Sequence, residues 1–359
     1  MKKLLKILFA ILLSLIILVL VMWVKSPGTT EPITDLQGEV IPNSISTIEK
    51  VIIGGIEQTL IIRGRNKSKP VILFLHGGPG SPEIAFVRAV DQPIEDDFVM
   101  VYWEQRGAGK SYSSDMTGEY MTIEQFIADT KELSELLAKR FNQEKIYIMG
   151  HSWGSLLGIL TAQKYPELYY AYFGIGQVCN QYEGERVSLE WVRAQAQELN
   201  DEEAIEELAE ISLPDFPGTS DDWLNYLRVQ RGYVNKFGGG AAHNETSNWA
   251  ILKMLFDAKE YTLKEKVNII PATLFSLKHL FPDVMENNLF NEPDSMQIPV
   301  YIFQGKYDYQ TPTVLAKDFY DQLKAPQKEF FLFENSAHSP IYEEIEKFNS
   351  IIKEKTGNQ

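Results

Sequence analysis

A chain of 359 residues is too long for one small domain and suggests about two domains. Hydrophobic residues make up 44% of it and charged residues 23%, an ordinary globular balance that excludes wholesale disorder. The net charge of −15, without any basic run interleaved with aromatics, argues against a nucleic-acid partner. A single cysteine excludes a disulfide framework and a cysteine-rich zinc site.

Residues 1–25 predict a signal anchor, that is, an uncleaved transmembrane helix. Three lysines precede an apolar run from Ile7 to Val24 that only Ser14 interrupts. As a helix this run would span about 27 Å, roughly one hydrocarbon thickness. No small-x-small cleavage motif follows it, although a cleaved signal peptide remains the alternative. The excess of lysine before the run predicts a single-pass protein of the cell membrane with a cytoplasmic N-terminus and an extracytoplasmic domain.

Residues 26–47 are polar, contain three prolines, and predict a tether between membrane and domain. Val51–Ile53 and Thr59–Ile62 then flank two glycines and predict a hairpin. Beyond it, short apolar runs are interleaved with helical patterns, which predicts an α/β fold whose mostly parallel sheet is covered by helices on both faces. These runs are Val71–Leu75, Phe98–Trp103, Ile146–Met149, Tyr172–Ile175, Val300–Phe303 and Phe330–Phe333.

The alternation of strands and helices breaks at residues 177–296, which have helix-like patterns and no buried strand run. We therefore expect a helical insertion, large enough to form its own small domain, that divides the α/β core into residues 48–176 and 297–359.

The pentapeptide G-H-S-W-G at residues 150–154 follows a predicted strand and opens a predicted helix, Ser155–Lys164. This is the context of a nucleophile elbow, in which glycines allow close backbone approach and the helix N-terminus favours developing negative charge. The motif predicts Ser152 as a nucleophile. The plainer interpretation is an ordinary strand-to-helix turn.

A serine hydroxyl needs a base to attack, and in this type of fold the acid and the histidine follow the serine in that order. Asp308 lies in the loop after one predicted strand and His338 in the loop after the next. Because one helix and one strand separate them, the two loops can be neighbours. Alternatively, Asp308 is only a turn or helix-capping residue and His338 an ordinary loop histidine.

Acyl transfer also needs an oxyanion hole, two N–H donors aimed at the developing charge. The first donor would be the backbone N–H of Trp153, directly after the nucleophile. The second would come from the loop H-G-G-P-G at 76–80, where we select Gly78. His76 is expected to orient this turn, and Arg106 to form a structural ion pair.

Together these motifs resemble α/β-hydrolases of the prolyl iminopeptidase type, a serine peptidase family. The resemblance is carried by H-G-G-P-G at 76–80, W-E-Q-R-G-A-G-K-S at 103–111, G-H-S-W-G at 150–154, G-K-Y-D at 305–308 and His338. It implies the α/β-hydrolase fold with a helical cap at 177–296. It also implies Ser152, Asp308 and His338 as the catalytic triad, with Gly78 and Trp153 as oxyanion donors.

The chain departs from the family at Glu104, where Asp is usual, and the family's Trp-Glu pair is not recognised in 177–296.

The main hypothesis is a membrane-anchored aminopeptidase that cleaves small peptides through an acyl-enzyme. A carboxylesterase or lactonase with the same triad is one alternative, and a non-catalytic binding protein of this fold is another. No cofactor is expected, and no metal, since His243 and His279 lack partners at ligand spacing.

Overall fold

The computed structural model describes residues 2–90, 93–244, 248–291 and 295–357. Within these ranges eight strands form one sheet, in the order β1-β2-β4-β3-β5-β6-β7-β8. The strands are β1 (Ile45–Ile53), β2 (Ile56–Gly64), β3 (Val71–Leu75), β4 (Val99–Glu104), β5 (Ile146–His151), β6 (Tyr169–Ile175), β7 (Val300–Gly305) and β8 (Lys328–Phe333).

The helices of the described ranges precede, separate and follow these strands. They are α1 (Lys2–Val24), α2 (Ile84–Ala89), α3 (Ile94–Asp97), α4 (Ile123–Arg140), α5 (Trp153–Lys164), α6 (Gln181–Glu198), α7 (Glu202–Ala209), α8 (Ser220–Lys236), α9 (Asn248–Asp257), α10 (Leu263–Glu286), α11 (Thr313–Gln322), α12 (Pro340–Glu343) and α13 (Ile345–Thr356).

The sheet has an antiparallel edge and a parallel body, as the sequence predicted. β1 and β2 form the expected hairpin, with Ile53 paired to Ile56 across the two glycines, and β2 is antiparallel to β4. From β4 onward every pair is parallel. The carboxyl ends of the parallel strands therefore share one edge, and the loops that follow them converge there.

Apolar side chains bury both faces of the sheet. In β3, Val71, Leu73 and Leu75 belong to one core cluster, while Ile72 and Phe74 belong to the cluster on the other face. This explains the unbroken apolar runs of the sequence, because a strand buried on both faces shows no alternation.

The stretch between β6 and β7 contains helices α6 to α10. It has its own apolar cluster, which includes Val192, Trp223, Tyr226 and Val234 and takes in Phe281 of α10. A helical stretch of this size needs such a core because each of its helices has an apolar face to bury.

The segment predicted as a tether packs against the body of the protein. The N–H of Thr29 donates to the carbonyl oxygen of Lys259 at 3.0 Å. The buried guanidinium of Arg63 donates to the carbonyl oxygen of Glu31 at 2.8 Å and to the hydroxyl of Thr30. A buried guanidinium requires acceptors, and the segment supplies those of the Arg63 Nη1 atom. β1 also begins at Ile45, within the predicted tether.

Helix α1 is long and apolar enough to cross a membrane. The most apolar 18-residue window of its segment Lys3–Val24 has a mean hydropathy of 3.2 and is not buried against the rest of the protein. A membrane anchor and a signal sequence share these properties.

Arg106 forms the structural ion pair that the sequence predicted. Its Nε donates to Asp129 Oδ2 at 3.0 Å, and its Nη2 donates to the carbonyl oxygen of Gly54 at 2.9 Å. Asp129 is fully buried on α4 and also accepts from Gln58 at 2.8 Å. The pair therefore joins the hairpin turn to α4.

We expect Arg106→Ala to lower the free energy of unfolding by about 3–5 kcal/mol, because it leaves Asp129 buried without its partner. Arg140→Ala is the matched control, since Arg140 also links α4 to β1 but its ion pair with Glu49 is 31% and 30% exposed. Loss of such a pair costs under about 1 kcal/mol. Urea unfolding of the detergent-solubilised chain measures both, and equal effects would contradict the structural role of Arg106.

Candidate active site

The turn between β5 and α5 has the geometry of the predicted elbow. Ser152 adopts φ 56° and ψ −123°, a conformation that residues other than glycine rarely occupy. A Cβ at Gly150 would collide with the carbonyl oxygen of Gly154, and a Cβ at Gly154 with that of Leu75. Both glycines are thus required by close backbone approach, and the Ser152 N–H donates to Ile175 O at 2.9 Å.

Asp308 and His338, the predicted acid and base, lie in contact. Asp308 follows β7 and His338 follows β8, and Asp308 Oδ2 is 2.9 Å from His338 Nδ1. Both side chains are buried, at 1% and 4% exposure. An imidazole that donates from Nδ1 to a carboxylate keeps Nε2 free to accept a proton.

The carboxylate of Asp308 is held by several donors. Its Oδ1 accepts from the N–H groups of Gln310 and Thr311, each at 2.9 Å. Its Oδ2 accepts from Gln304 Nε2 and from the Thr311 hydroxyl, each at 2.8 Å. Together these hydrogen bonds fix the orientation of the carboxylate. Gln304 and Thr311 were not singled out from the sequence, because polar residues in such a loop carry no distinguishing pattern.

Ser152 and His338 lie on the wall of one cavity of about 530 Å³, which Gly78 and Trp153 also line. Asp308 lies behind His338. Apolar side chains from α2 and from the helices between β6 and β7 form much of the remaining wall; among them are Phe86, Leu227, Met254, Leu277, Phe281 and Val284. A concave, mostly apolar wall with a few convergent polar groups is typical of a small-molecule site.

The predicted oxyanion donors border the same cavity. Trp153 is the first residue of α5, so its N–H has no acceptor inside the helix. In the other loop, the N–H of Gly77 donates to Glu83 Oε1 at 2.7 Å and therefore does not point at a substrate oxygen. Gly78, at φ 115°, is the next residue and lines the cavity.

Gln105 links the two segments that would form the oxyanion hole. Its Oε1 accepts from Trp153 Nε1 at 2.9 Å, and its Nε2 donates to the carbonyl oxygen of His76 at 3.1 Å. Its own N–H donates to His76 Nε2 at 3.2 Å, while His76 Nδ1 lies 2.8 Å from Gly77 O. Burial lowers the pKa of His76, in keeping with a neutral ring that donates through Nδ1. The predicted orienting role of His76 agrees with these contacts.

Sequence reasoning missed an ion pair beside these residues, between Glu83 and His151. His151 Nδ1 is 2.9 Å from both carboxylate oxygens of Glu83, and its Nε2 is 3.0 Å from the carbonyl oxygen of His338. Because both neighbours are acceptors, both ring nitrogens donate and His151 is an imidazolium. A histidine inside the G-x-S-x-G motif was visible in the sequence, but its partner was not.

Burial opposes the charge on both groups of this pair, yet their mutual attraction outweighs it. The pKa of Glu83 is lowered and the pKa of His151 is raised. Glu83 also accepts from the Tyr342 hydroxyl at 2.7 Å and from the Gly77 N–H. The pair therefore ties the Gly78 loop, the elbow and the backbone of His338 together.

Glu104, where the chain departs from the family, lies outside the cavity. It is buried at the end of β4, where its Oε1 accepts from the Tyr261 hydroxyl at 2.5 Å. The Lys110 N–H also donates to it. Burial raises the pKa of Glu104 to about 7. Since Tyr261 lies between α9 and α10, Glu104 connects the sheet to those helices.

Within the described ranges, no three His, Cys, Asp or Glu side chains cluster so as to hold a metal ion. His243 stacks on Tyr307 at 3.6 Å between ring centroids, and His279 packs against Phe275.

The sequence matches the family model described as alpha/beta hydrolase fold over residues 70–345. It is 35% identical to a protein of Bacillus subtilis strain 168 named probable aminopeptidase YbaC, over 86% of this chain and 96% of the relative. It is 25% identical to a proline iminopeptidase of Lactobacillus helveticus, over 84% of this chain and 94% of the relative.

Among solved structures, a proline iminopeptidase of Mycobacterium smegmatis aligns with a TM-score of 0.60 and 15% identity, covering 86% of this chain and 97% of that one. At this identity the likeness concerns the fold alone.

The pH dependence of kcat/KM should reflect the charge state of the Glu83–His151 pair. The pKa of His151 is raised in the folded protein. Its imidazole is therefore fully protonated at low pH and loses its charge as pH rises through that pKa. Because the pKa of Glu83 is lowered, its charge is lost only as pH falls through its folded pKa. The pair is intact between these two values, and kcat/KM should fall on the alkaline side as His151 deprotonates.

In Glu83→Gln the carboxylate no longer attracts the charged His151 ring, while burial still opposes that charge. The pKa of His151 should therefore drop, and kcat/KM should begin to fall at a lower pH than in the wild type. Glu334→Gln is the control, because it removes a negative charge near the His338 loop from an exposed side chain that pairs with Lys306. Superimposable profiles for wild type and Glu83→Gln would show that the pair does not support activity.

Proposed function

The chain belongs to the α/β-hydrolase fold family, and from this premise we propose that it is a serine aminopeptidase of the prolyl iminopeptidase type. It would release N-terminal residues from small peptides. The observation that carries the hydrolase part is the contact of Asp308 with His338 on the cavity that Ser152 lines. The peptide part is supported by relatives named probable aminopeptidase and proline iminopeptidase.

In the proposed mechanism, Ser152 Oγ attacks the carbonyl carbon of the scissile bond while His338 Nε2 takes its proton. The charge that develops on the substrate oxygen is met by the N–H groups of Gly78 and Trp153. As the tetrahedral intermediate collapses, the carbon–nitrogen bond breaks, and His338 returns the proton to the leaving amine. Water, deprotonated by His338, then cleaves the acyl-enzyme. Asp308 orients the imidazole and stabilises its charged form.

We assign helices α6 to α10 the role of a cap over the serine. The support is that Leu227 of α8, Met254 of α9 and Phe281 of α10 line the Ser152 cavity. A cover of this kind excludes water and strengthens the electrostatic contacts of the transition state.

A carboxylesterase or lactonase is the second candidate. It is favoured because the two carboxylates that line the cavity already accept hydrogen bonds from the protein itself. Glu83 is committed to His151, while Glu343 accepts from the N–H groups of His243 at 2.6 Å and Ala337 at 2.9 Å. A peptide substrate presents a free ammonium group that needs an acceptor, whereas an ester needs none.

Substrates with free and blocked amines distinguish the two candidates. We expect turnover of aminoacyl-arylamides, a loss of that turnover when the amine is acetylated, and weaker action on short-chain esters. The reason is that an ammonium group contributes binding only through its charge and hydrogen bonds, which acetylation removes. Faster action on esters, with no effect of acetylation, would favour the esterase.

Ser152→Ala is the control for this panel, because loss of a triad serine lowers kcat by roughly 10⁴–10⁶-fold. Ser113→Ala, at an exposed serine, should leave activity unchanged. Labelling by a fluorophosphonate should disappear only in Ser152→Ala. Activity that survives in this variant would rule out the mechanism for either substrate class.

We further propose that α1 anchors the enzyme in the cell membrane, with a cytoplasmic N-terminus and an extracytoplasmic catalytic domain. Its length and its apolar window of mean hydropathy 3.2 support the anchor, and the lysines in its first turns support this orientation. Peptides outside the cytoplasm would then be the substrates.

Removal of residues 1–24 should release a soluble and active enzyme. The cut retains Pro27 and Thr29, which contact the α9–α10 connection, and removes only the helix whose apolar window is not buried. Membrane fractionation and arylamide assays of the full-length and shortened chains measure the outcome. A shortened chain that resists extraction from membranes by a carbonate wash, as an embedded helix does, would contradict anchoring by α1.

A further inference from the structure

Helices α9 and α10 each carry a stripe of exposed large apolar side chains. The six residues are spaced i, i+3, i+7 on each helix, so each stripe occupies one face. They are Trp249, Leu252 and Phe256 on α9 and Val267, Ile270 and Leu274 on α10. Within the described residues, no other helix or strand except α1 carries more than one such side chain. Exposed apolar patches of this kind mark interaction surfaces.

The stripes start where the end of α1 contacts the domain. Pro27 forms a backbone bridge with Thr262, and the Thr29 N–H donates to Lys259 O at 3.0 Å, so α1 leaves the domain at the connection between α9 and α10. Along the helix axes every stripe residue lies within about 20 Å of this connection, since a helix rises 1.5 Å per residue and Leu274 is the farthest.

This connection is fixed to the core of the protein. The hydroxyl of the buried Tyr261 donates to Glu104 Oε1 at 2.5 Å, and Lys110 Nζ donates to the carbonyl oxygen of Glu260 at 2.9 Å. The contacts hold the exit of α1 and the two stripes in one arrangement relative to the sheet.

Charge is distributed unevenly over helices α6 to α10. Residues 248–286, which span α9 and α10, contain five lysines and five acidic residues, with Lys253, Lys264 and Lys278 exposed. Residues 183–222 instead contain thirteen acidic and two basic residues. An anionic lipid surface repels the acidic stretch, while the balanced charge of α9 and α10 allows their approach. Lysine stems and a tryptophan beside apolar residues are typical of helices that lie in a membrane interface.

We propose that the α9–α10 face rests on the surface of the bilayer in which α1 is embedded. The inference rests on the anchor proposed above and adds a second contact with the membrane. Ile251 and Met254, on the inner side of α9, line the Ser152 cavity, so a docked α9 places the cavity about one helix diameter, about 10 Å, from the membrane surface. Peptides or esters with an apolar group, which partition into that interface, are then the preferred substrates.

Single cysteines carrying an environment-sensitive fluorophore test the docking in the full-length chain. Leu252→Cys and Ile270→Cys place the probe on the stripes, and Val314→Cys places it on α11, at a lone exposed apolar residue. The native Cys179 is buried, so labelling of the unsubstituted chain measures the background. Each labelled protein is reconstituted in phosphatidylcholine–phosphatidylglycerol liposomes with or without nitroxide-bearing lipids.

The emission of probes at 252 and 270 should shift to shorter wavelength and be quenched by the nitroxide lipids, and the probe at 314 should show neither effect. A chain that does not float with liposomes refutes the anchor itself. A chain that floats while its probes at 252 and 270 behave like the probe at 314 overturns the docking alone. A shift without quenching means that protein covers the stripes, which also overturns it.

The double variant Leu252→Glu, Ile270→Glu tests the consequence for substrates. In liposomes it should turn over a soluble aminoacyl-arylamide like the wild type, because neither residue lines the cavity. Its turnover of an analogue with a long alkyl group should fall several-fold. Unchanged turnover of both compounds would overturn the proposed substrate preference.

Discussion

The close packing of the β5–α5 turn against the end of β3 is the constraint on which the rest of the site depends. No side chain fits at Gly150 or Gly154, because each faces a backbone carbonyl oxygen. The turn therefore holds Ser152 at φ 56°, with its side chain on the cavity wall. It also starts α5 at Trp153, whose N–H is left without a helical acceptor. One steric requirement thus sets the positions of the candidate nucleophile and of one candidate oxyanion donor.

The remaining parts of the site are held to this turn by buried polar contacts between distant segments. Gln105 bonds the Trp153 indole to the His76 backbone, and the Glu83–His151 pair connects the Gly78 loop to the backbone of His338. Buried polar groups are costly unless they are fully paired, so such contacts favour one arrangement of these loops over others. The loops themselves have little regular structure, and these side chains supply the rigidity that a catalytic geometry needs.

Among the helices between β6 and β7, α9 and α10 have two distinct sides. The inner sides of α9 and α10 contribute Met254 and Phe281 to the cavity, while their outer sides carry exposed apolar residues beside the exit of α1. Tyr261 and Glu104 join this part of the molecule to the sheet. Burial raises the pKa of Glu104 to about 7, so this contact between Tyr261 and Glu104 contains a group that changes charge near neutral pH. The proposed membrane contact and the proposed substrate cavity therefore involve the same two helices.

Local patterns in the sequence determined the order of strands and helices, the hairpin, the parallel sheet and the elbow. Such features depend on residues close together in the chain: apolar runs, glycine spacing and the context of G-H-S-W-G. The neighbouring positions of Asp308 and His338 followed from the same logic, because loops after successive parallel strands meet at one edge. Only the tertiary structure decided that Glu83 pairs with His151, that Gln105 joins two loops, and that residues 26–47 pack on the domain. These contacts join positions far apart in sequence, and a lone glutamate or glutamine carries no local pattern that names its partner.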